Sequence, residues 1–205
     1  VNEKAEVKSL YDLHAATHLY SLSDTKKPSA PIRKGSTARN EKREYTALAV
    51  PLEVMQALNL PPFDHKLTQS GETIFIWDVL RRKPVVLTPE EWVRQHVVHY
   101  LINHRGYPKG LLSLERGHHY NQRQKRTDLV ALDSNGQPLL LVECKRPTVP
   151  ITAATAQQAA TYNLTIGAPL LLLTNGLTHF CWRVNVAERT NERLSEVPMY
   201  GSLTP

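Results

Sequence analysis

Thr127-Asp128-Leu129-Val130-Ala131-Leu132-Asp133-Ser134-Asn135-Gly136-Gln137-Pro138-Leu139-Leu140-Leu141-Val142-Glu143-Cys144-Lys145 is the stretch on which the fold turns. Two apolar runs of strand length flank Asn135-Gly136, the strongest short-range signal for a tight hairpin turn. Strands are therefore expected over Thr127 to Leu132 and Leu139 to Lys145. With Ser134 and Gln137 closing a two-residue turn, counting outward along both strands sets Asp128 directly opposite Glu143. Opposed residues of such a ladder have Cβ atoms roughly 4.5 to 5.5 Å apart, and like charges there destabilise the sheet. Lys145, two residues on, falls on the same face about 6 to 7 Å along the strand. Two acids and a lysine thus converge, while Leu140, Val142 and Cys144 point to the other face as ordinary core.

Working outward, Thr88-Pro89-Glu90-Glu91 reads as a helix start, with an N-cap threonine, proline at the first helical position and glutamate at the third. The helix should run to about Asn103, with Val93, Val97, Tyr100, Leu101 and His104 on its apolar side and Gly106-Tyr107-Pro108 ending it. A strand is expected from Leu111 to Glu115. Beyond the central hairpin, Thr155 to Leu164 is rich in Ala and Gln, as a helix would be. A buried strand from Pro169 to Thr174 then turns at Asn175-Gly176 into a last strand around Phe180 to Val184. Helix, three strands, helix, two strands is the order of an α/β layered domain with a mixed sheet, the second helix crossing over the sheet. An ancillary hairpin is expected upstream, where Lys66 to Gln69 and Thr73 to Trp77 flank Ser70-Gly71.

The first 54 residues read differently. Asp24 to Arg43 is polar, basic and Pro/Ser/Thr-bearing without apolar period, and Val7 to Tyr20 has at most a short amphipathic helix. We expect an N-terminal extension over 1–54 and one functional domain over 55–205. The 205 residues, 41% hydrophobic and 21% charged, suffice for one sizeable core. No run of eighteen apolar residues occurs and Val1 to Leu10 carries charges, so neither a membrane span nor a signal peptide is expected and a cytoplasmic location is. Cys144 and Cys181 stand singly in apolar runs, which speaks against a disulfide framework or a zinc site, and the histidines at 96, 99, 118 and 119 lack a ligand spacing. Net charge is +6, with a pI near 9.4, which favours polyanionic partners.

The chemistry suited to the convergent set is that of a hard divalent cation. Mg²⁺ prefers oxygen, needs only one or two carboxylates and keeps reactive waters. Asp128 and Glu143 would be its ligands, with the backbone carbonyl of Cys144 as a further one. Lys145 could position the attacking water and neutralise charge developing on a scissile phosphate. The competing reading is a salt-bridged cluster covering a sheet face. Against it, Leu139-Leu140-Leu141-Val142 is wholly apolar before the charges begin, as in a buried strand emerging into a cleft, where unused charges are costly.

These residues resemble the PD-(D/E)xK nucleases, which carry an acid on one strand and acid-x-lysine on the next. Asp128 with Glu143-Cys144-Lys145 matches both elements, although Thr127 stands where the proline would be. The stretch from about Leu58 to Val184 also resembles the N-terminal nuclease domain of type I restriction enzyme R subunits, through Leu87-Thr88-Pro89-Glu90-Glu91-Trp92-Val93-Arg94-Gln95, Leu141-Val142-Glu143-Cys144-Lys145 and Thr174-Asn175-Gly176. The resemblance implies a restriction-endonuclease-like layered fold, Mg²⁺ (with Mn²⁺ as substitute) and endonucleolytic cleavage of DNA. It implies supporting roles for Gln158 and Tyr162, which match the Gln-x-x-x-Tyr signature of the RecB-like branch and share a helical face at i, i+4 spacing. It gives Glu91 a place near the metal, beside the plain alternative of a capping-box residue. The R subunits continue into an ATP-driven translocase. Here no Gly-x-x-x-x-Gly-Lys-Ser/Thr loop occurs before Pro205, so no ATP site is expected, and a separate translocase or specificity subunit, or a second copy, would be the partners.

Arg116, Arg123, Lys125 and Arg126, with His118 and His119, precede Asp128 where a phosphate backbone would pass, and are candidate DNA contacts or equally a solvated loop. Arg81-Arg82-Lys83 beside Trp77 is a further basic contact or a surface charge run. Two other functions stay open: a non-catalytic nucleic-acid-binding module acting with a partner, and a repair or junction-resolving nuclease on the same fold.

Overall fold

A computed structural model describes residues 54–114, 128–185, 187–188 and 190–203. All of the expected N-terminal extension but Val54, and the basic stretch holding Arg116, His118, His119, Arg123, Lys125 and Arg126, lie outside the described residues.

A six-stranded mixed sheet carries the domain. Its strands are β4 (Leu112–Ser113), β5 (Leu129–Leu132), β6 (Pro138–Cys144), β7 (Leu170–Thr174), β8 (His179–Asn185) and β9 (Thr190–Leu194), adjacent in that order. Only β6 and β7 run parallel, because α2 (Ala153–Ile166) connects them across a face of the sheet. This is the layered α/β arrangement with a mixed sheet that the element order predicts. β9 was not foreseen: Thr-Asn-Glu-Arg-Leu is a polar edge sequence, and apolar periodicity cannot find it. The Leu111 to Glu115 strand shortens to two residues after a 3-10 turn over Lys109–Leu111.

The two faces alternate with the residue number. Leu129, Ala131, Leu140, Val142, Cys144, Leu170 and Leu172 pack with Val93, Val97 and Leu101 of α1 (Pro89–Arg105). Val130, Leu141, Leu171, Leu173 and Trp182 pack with Ala156, Ala159 and Ala160 of α2. Small alanines let α2 lie close to the sheet. Each helix ends on a glycine in the left-handed region, Gly106 and Gly167, where a Cβ would be strained.

The central hairpin is built differently from the expected two-residue turn. Gly136 N–H donates to Asp133 O and Asp133 N–H to Gln137 O, Gly136 has φ +77°, and Asp133 Oδ1 accepts from the amides of Asn135 and Gln137. The loop is thus a turn over Asp133 to Gly136 with a left-handed glycine, one residue longer than expected. Left uncorrected, that extra residue would slip the register and put Asp128 and Glu143 on opposite faces. A bulge corrects it: Leu132 pairs with Pro138, but Ala131 pairs with Leu140. Leu139 is the additional residue, and it and Leu140 both join the α1-side core. Val130 then pairs with Leu141 and Leu129 with Val142, a register that carried one step further sets Asp128 against Glu143. Two departures from the simple hairpin cancel.

A second, three-stranded sheet is formed by β1 (Leu67–Ser70), β2 (Thr73–Asp78) and β3 (Lys83–Val86). β3 was hidden by its proline and by the basic run before it. The Ile76, Leu87 and Trp92 cluster, with Val54, Met55, Leu58 and Phe63 against it, covers the inner face of this sheet. Among the described residues no helix is long and apolar enough to cross a membrane.

Candidate active site

Asp128 stands immediately before β5, and its carboxylate turns to the frayed end of the ladder, where Oδ2 accepts the Cys144 N–H at 2.7 Å. The next amide, that of Lys145, donates the other way, to Thr174 O on β7 at 2.8 Å. Alternation along β6 therefore aims Cys144 N–H, and with it Cys144 C=O, at the Asp128 side. The Cys144 thiol is fully buried among core residues, and burial first, then the charge of Asp128, pushes it well above the usual thiol range. It is a core group.

Glu143 and Lys145 stand on the α2 face at the end of β6, where Lys145 Nζ donates to Glu143 Oε1 at 2.6 Å. Burial raises the Glu143 pKa, repulsion from Asp128 raises it further and Glu90 adds to this, so that even the Lys145 ammonium does not restore an ordinary value. Burial opposes the Lys145 charge, but its bond to Glu143 and the fields of Glu143, Asp128 and Glu90 more than offset this, and its pKa rises. Asp128, Glu143, Lys145 and Glu90 therefore act on one another as one electrostatic group.

Arg94, which the sequence reading did not single out as a site residue, closes this group from α1. Its Nη2 donates to Asp128 Oδ1 at 2.6 Å and its Nη1 to Glu91 Oε2 at 2.5 Å, and Nη2 also lies 3.3 Å from Glu90 Oε1. Burial opposes the guanidinium charge, yet Asp128 and Glu91 overcome it and hold it charged. Both oxygens of Asp128 are engaged, one by a cation and one by an amide.

Glu91 is placed by the helix start: its own amide donates to Thr88 Oγ1 at 3.0 Å, the N-cap half of the expected box. Its carboxylate does not turn back to the cap. Buried, it accepts from Gln95 Nε2 at 2.8 Å and from Arg94, and lies 3.3 Å from Arg81 Nη1. The charge of its neighbour Glu90 bears on Glu143 and Lys145. The N-terminal turn of α1 is thus a buried polar face, with Glu91, Arg94, Gln95 and His96 all inside, where apolar periodicity foresaw only Val93 and Val97. Arg81 is likewise absorbed, bridging buried Asp78 at 2.8 Å and Glu91. The His96 and His99 rings pack against Phe63 rather than gather as ligands.

Gln158 is exposed on α2, while Tyr162, one turn on, is half-buried against the Leu141 and Leu173 cluster on the face that carries Glu143. Thr174-Asn175-Gly176 braces the loop after Lys145: Asn175 Nδ2 donates to Val149 O at 2.8 Å, and its Oδ1 accepts from Leu177 and Thr178. Gly176, at φ +83°, lies against Leu58.

For a divalent ion, the donor chemistry present is two carboxylates plus a strand carbonyl. Among the described residues no group of three or more His, Cys, Asp or Glu side chains forms a ready cage, but Mg²⁺ commonly takes one or two carboxylates and keeps its waters. Asp128, Glu143 and Cys144 O are the residues that would hold such an ion, Asp128 after yielding its bond to Arg94 or to the Cys144 amide.

Among curated proteins no match is found. A solved structure of a fragment of a type I restriction enzyme HsdR subunit from Vibrio vulnificus YJ016 aligns at 20% identity with a TM-score of 0.41, covering 56% of this chain and 24% of that one, so this chain spans about a quarter of the other's length. Residues 89–198, from the first turn of α1 to beyond β9, match the family model described as type I restriction enzyme R protein N terminus. With more than half of its length matched, the chain belongs to the family of type I restriction enzyme R protein N-terminal domains.

Proposed function

We propose that this domain is a metal-dependent DNA nuclease that hydrolyses phosphodiester bonds endonucleolytically. The observation that carries the reading is the set of groups gathered at the end of β6: Lys145 Nζ donates to Glu143 Oε1 at 2.6 Å, the Cys144 amide donates to Asp128 Oδ2 at 2.7 Å, and the β5–β6 register runs Asp128 toward Glu143. Acids at the end of an apolar strand that need Arg94 and Lys145 as counter-ions are costly to keep there unless they are used. Asp128, Glu143 and the carbonyl of Cys144 would hold Mg²⁺ or Mn²⁺, which when bound supplies Lewis-acid polarisation of the phosphate. Lys145, charged and partly open to solvent, orients the attacking water and neutralises charge developing on the phosphate oxygens. Glu90 and Glu91 set the field at the mouth of the site. Gln158 and Tyr162 steady the lysine side or meet the DNA, together with Arg116, Arg123, Lys125 and Arg126. Acting on DNA places the domain in the cytoplasm, with a translocase or specificity subunit as the partner a restriction assembly requires.

One observation favours a second reading. Both Asp128 oxygens are already bonded, to Arg94 and to the Cys144 amide, as in a fold kept for binding nucleic acid rather than cutting it. Incubating supercoiled plasmid with Mg²⁺ or Mn²⁺, without ATP, separates the two. The nuclease reading expects nicking by the wild type and a loss of at least 100-fold in Lys145→Ala, the scale of one electrostatic group. Binding without nicking in either protein supports the binding module, and equal nicking in both would refute the assignment of Lys145.

A further inference from the structure

The outer face of the small sheet has not been used by any role assigned above. By register, Phe75 and Trp77 of β2 stand with Val86 and Pro84 of β3 on the side away from the Ile76 core. Trp77 is 42% exposed and Val86 50%, a large aromatic left in solvent on a flat strand face. Lys66, whose carbonyl accepts the Trp77 N–H at 2.9 Å, is exposed on one side of it. Exposed Arg82 stands in the turn at the same end of the sheet, whereas Lys83, paired with buried Asp78, belongs to the inner face. The acid of this sheet that faces solvent, Glu72, lies in the turn at the opposite end, and Asp78 is buried against Arg81.

That basic end is tied to the catalytic group. Arg81 bridges Asp78 to Glu91, Glu91 shares Arg94 with Asp128, and Asp78 Oδ1 holds the β2–β3 turn through the amides of Leu80 and Arg81. The turn carrying Arg82 is therefore held rigidly next to the N-terminus of α1, the wall of the candidate site.

We propose that Trp77, with Lys66 and Arg82, is a platform for an unpaired DNA strand leading into or out of the site. An exposed indole flanked by cations suits a base stacked on its face with phosphates on either side. A protein partner would need a wider apolar patch or acidic groups to meet these cations, whereas a polyanion meets both. The choice of DNA rests on the nuclease reading; the polyanion and stacking argument does not.

The test is binding of a fluorescein-labelled oligothymidylate, about 20 nucleotides long, to the full chain in EDTA, where cleavage plays no part. Trp77→Ala should weaken binding about 5- to 100-fold, the worth of one stacked base, and Trp77→Phe should recover most of it. Lys66→Gln or Arg82→Gln should each lower the slope of log K against log salt by about 0.7. Thermal melts that match the wild type exclude unfolding as the cause; should Trp77→Ala melt early, the Lys66 and Arg82 variants carry the test. Wild-type affinity in Trp77→Ala with unchanged salt slopes in the Lys66 and Arg82 variants would overturn the platform. A sedimentation shift from dimer to monomer in Trp77→Ala, without loss of oligonucleotide binding, would instead make this face a contact between copies and also overturn it. Plasmid nicking reports separately, so either proposal can fail without the other.

Discussion

Replacing Arg94 by methionine tests whether the acids are held together by an internal cation. The side chain is 10% exposed, and its partners Asp128 and Glu91 are 13% and 8% exposed. Removing one member of a buried ion pair costs about 3–5 kcal/mol, because the remaining charges lose their counter-ion. Glu91 keeps Gln95 and Arg81, and Asp128 keeps the Cys144 amide, which argues for the lower end, about 3 kcal/mol. With a urea dependence of about 2 kcal/mol per molar, the unfolding midpoint should fall by about 1.5 M in EDTA. Arg94 also occupies Asp128 Oδ1, so a divalent ion must compete with it. In 10 mM Mn²⁺ the variant should therefore regain more stability than the wild type gains, each tenfold in affinity adding about 1.4 kcal/mol. An unchanged midpoint would refute the counter-ion role. Equal gains in both proteins would refute the competition between Arg94 and the ion.

Glu143→Gln should stabilise the metal-free protein at neutral pH. The folded-state pKa of Glu143 is raised, so the group favours folding most at low pH, and this contribution is lost as pH rises from 4.5 through the folded value. The advantage of the variant, measured by denaturation in EDTA, should shrink to nothing as the pH is lowered; a constant advantage would show that Asp128, Glu90 and burial are not its source. Gly176→Ala should lose about 2–5 kcal/mol, since φ is +83° and the new Cβ would fall 2.8 Å from Leu58 Cδ2 and 3.1 Å from Val93 Cγ2. A thermal midpoint within a degree of the wild type would contradict that packing.

Local chemistry alone determined a good part of this protein. Thr88-Pro89 starts α1, Gly106 ends it, the alanines of α2 place it on the sheet, and Leu139 to Val142 identify a buried strand, because each signal lies within a few residues of what it governs. The register that leads Asp128 toward Glu143 was also legible as far as Leu129 against Val142, though through a hairpin whose longer turn and compensating Leu139 bulge no count of residues could show. Only the tertiary structure decided what surrounds the acids. Arg94 meets Asp128 across 34 positions, and binds Glu91 at the same time. Side chains such as Arg94, Glu91 and Gln95 read as solvent-facing in a periodicity that counts apolar residues, yet they are buried because each finds its opposite charge or hydrogen-bond partner on another element.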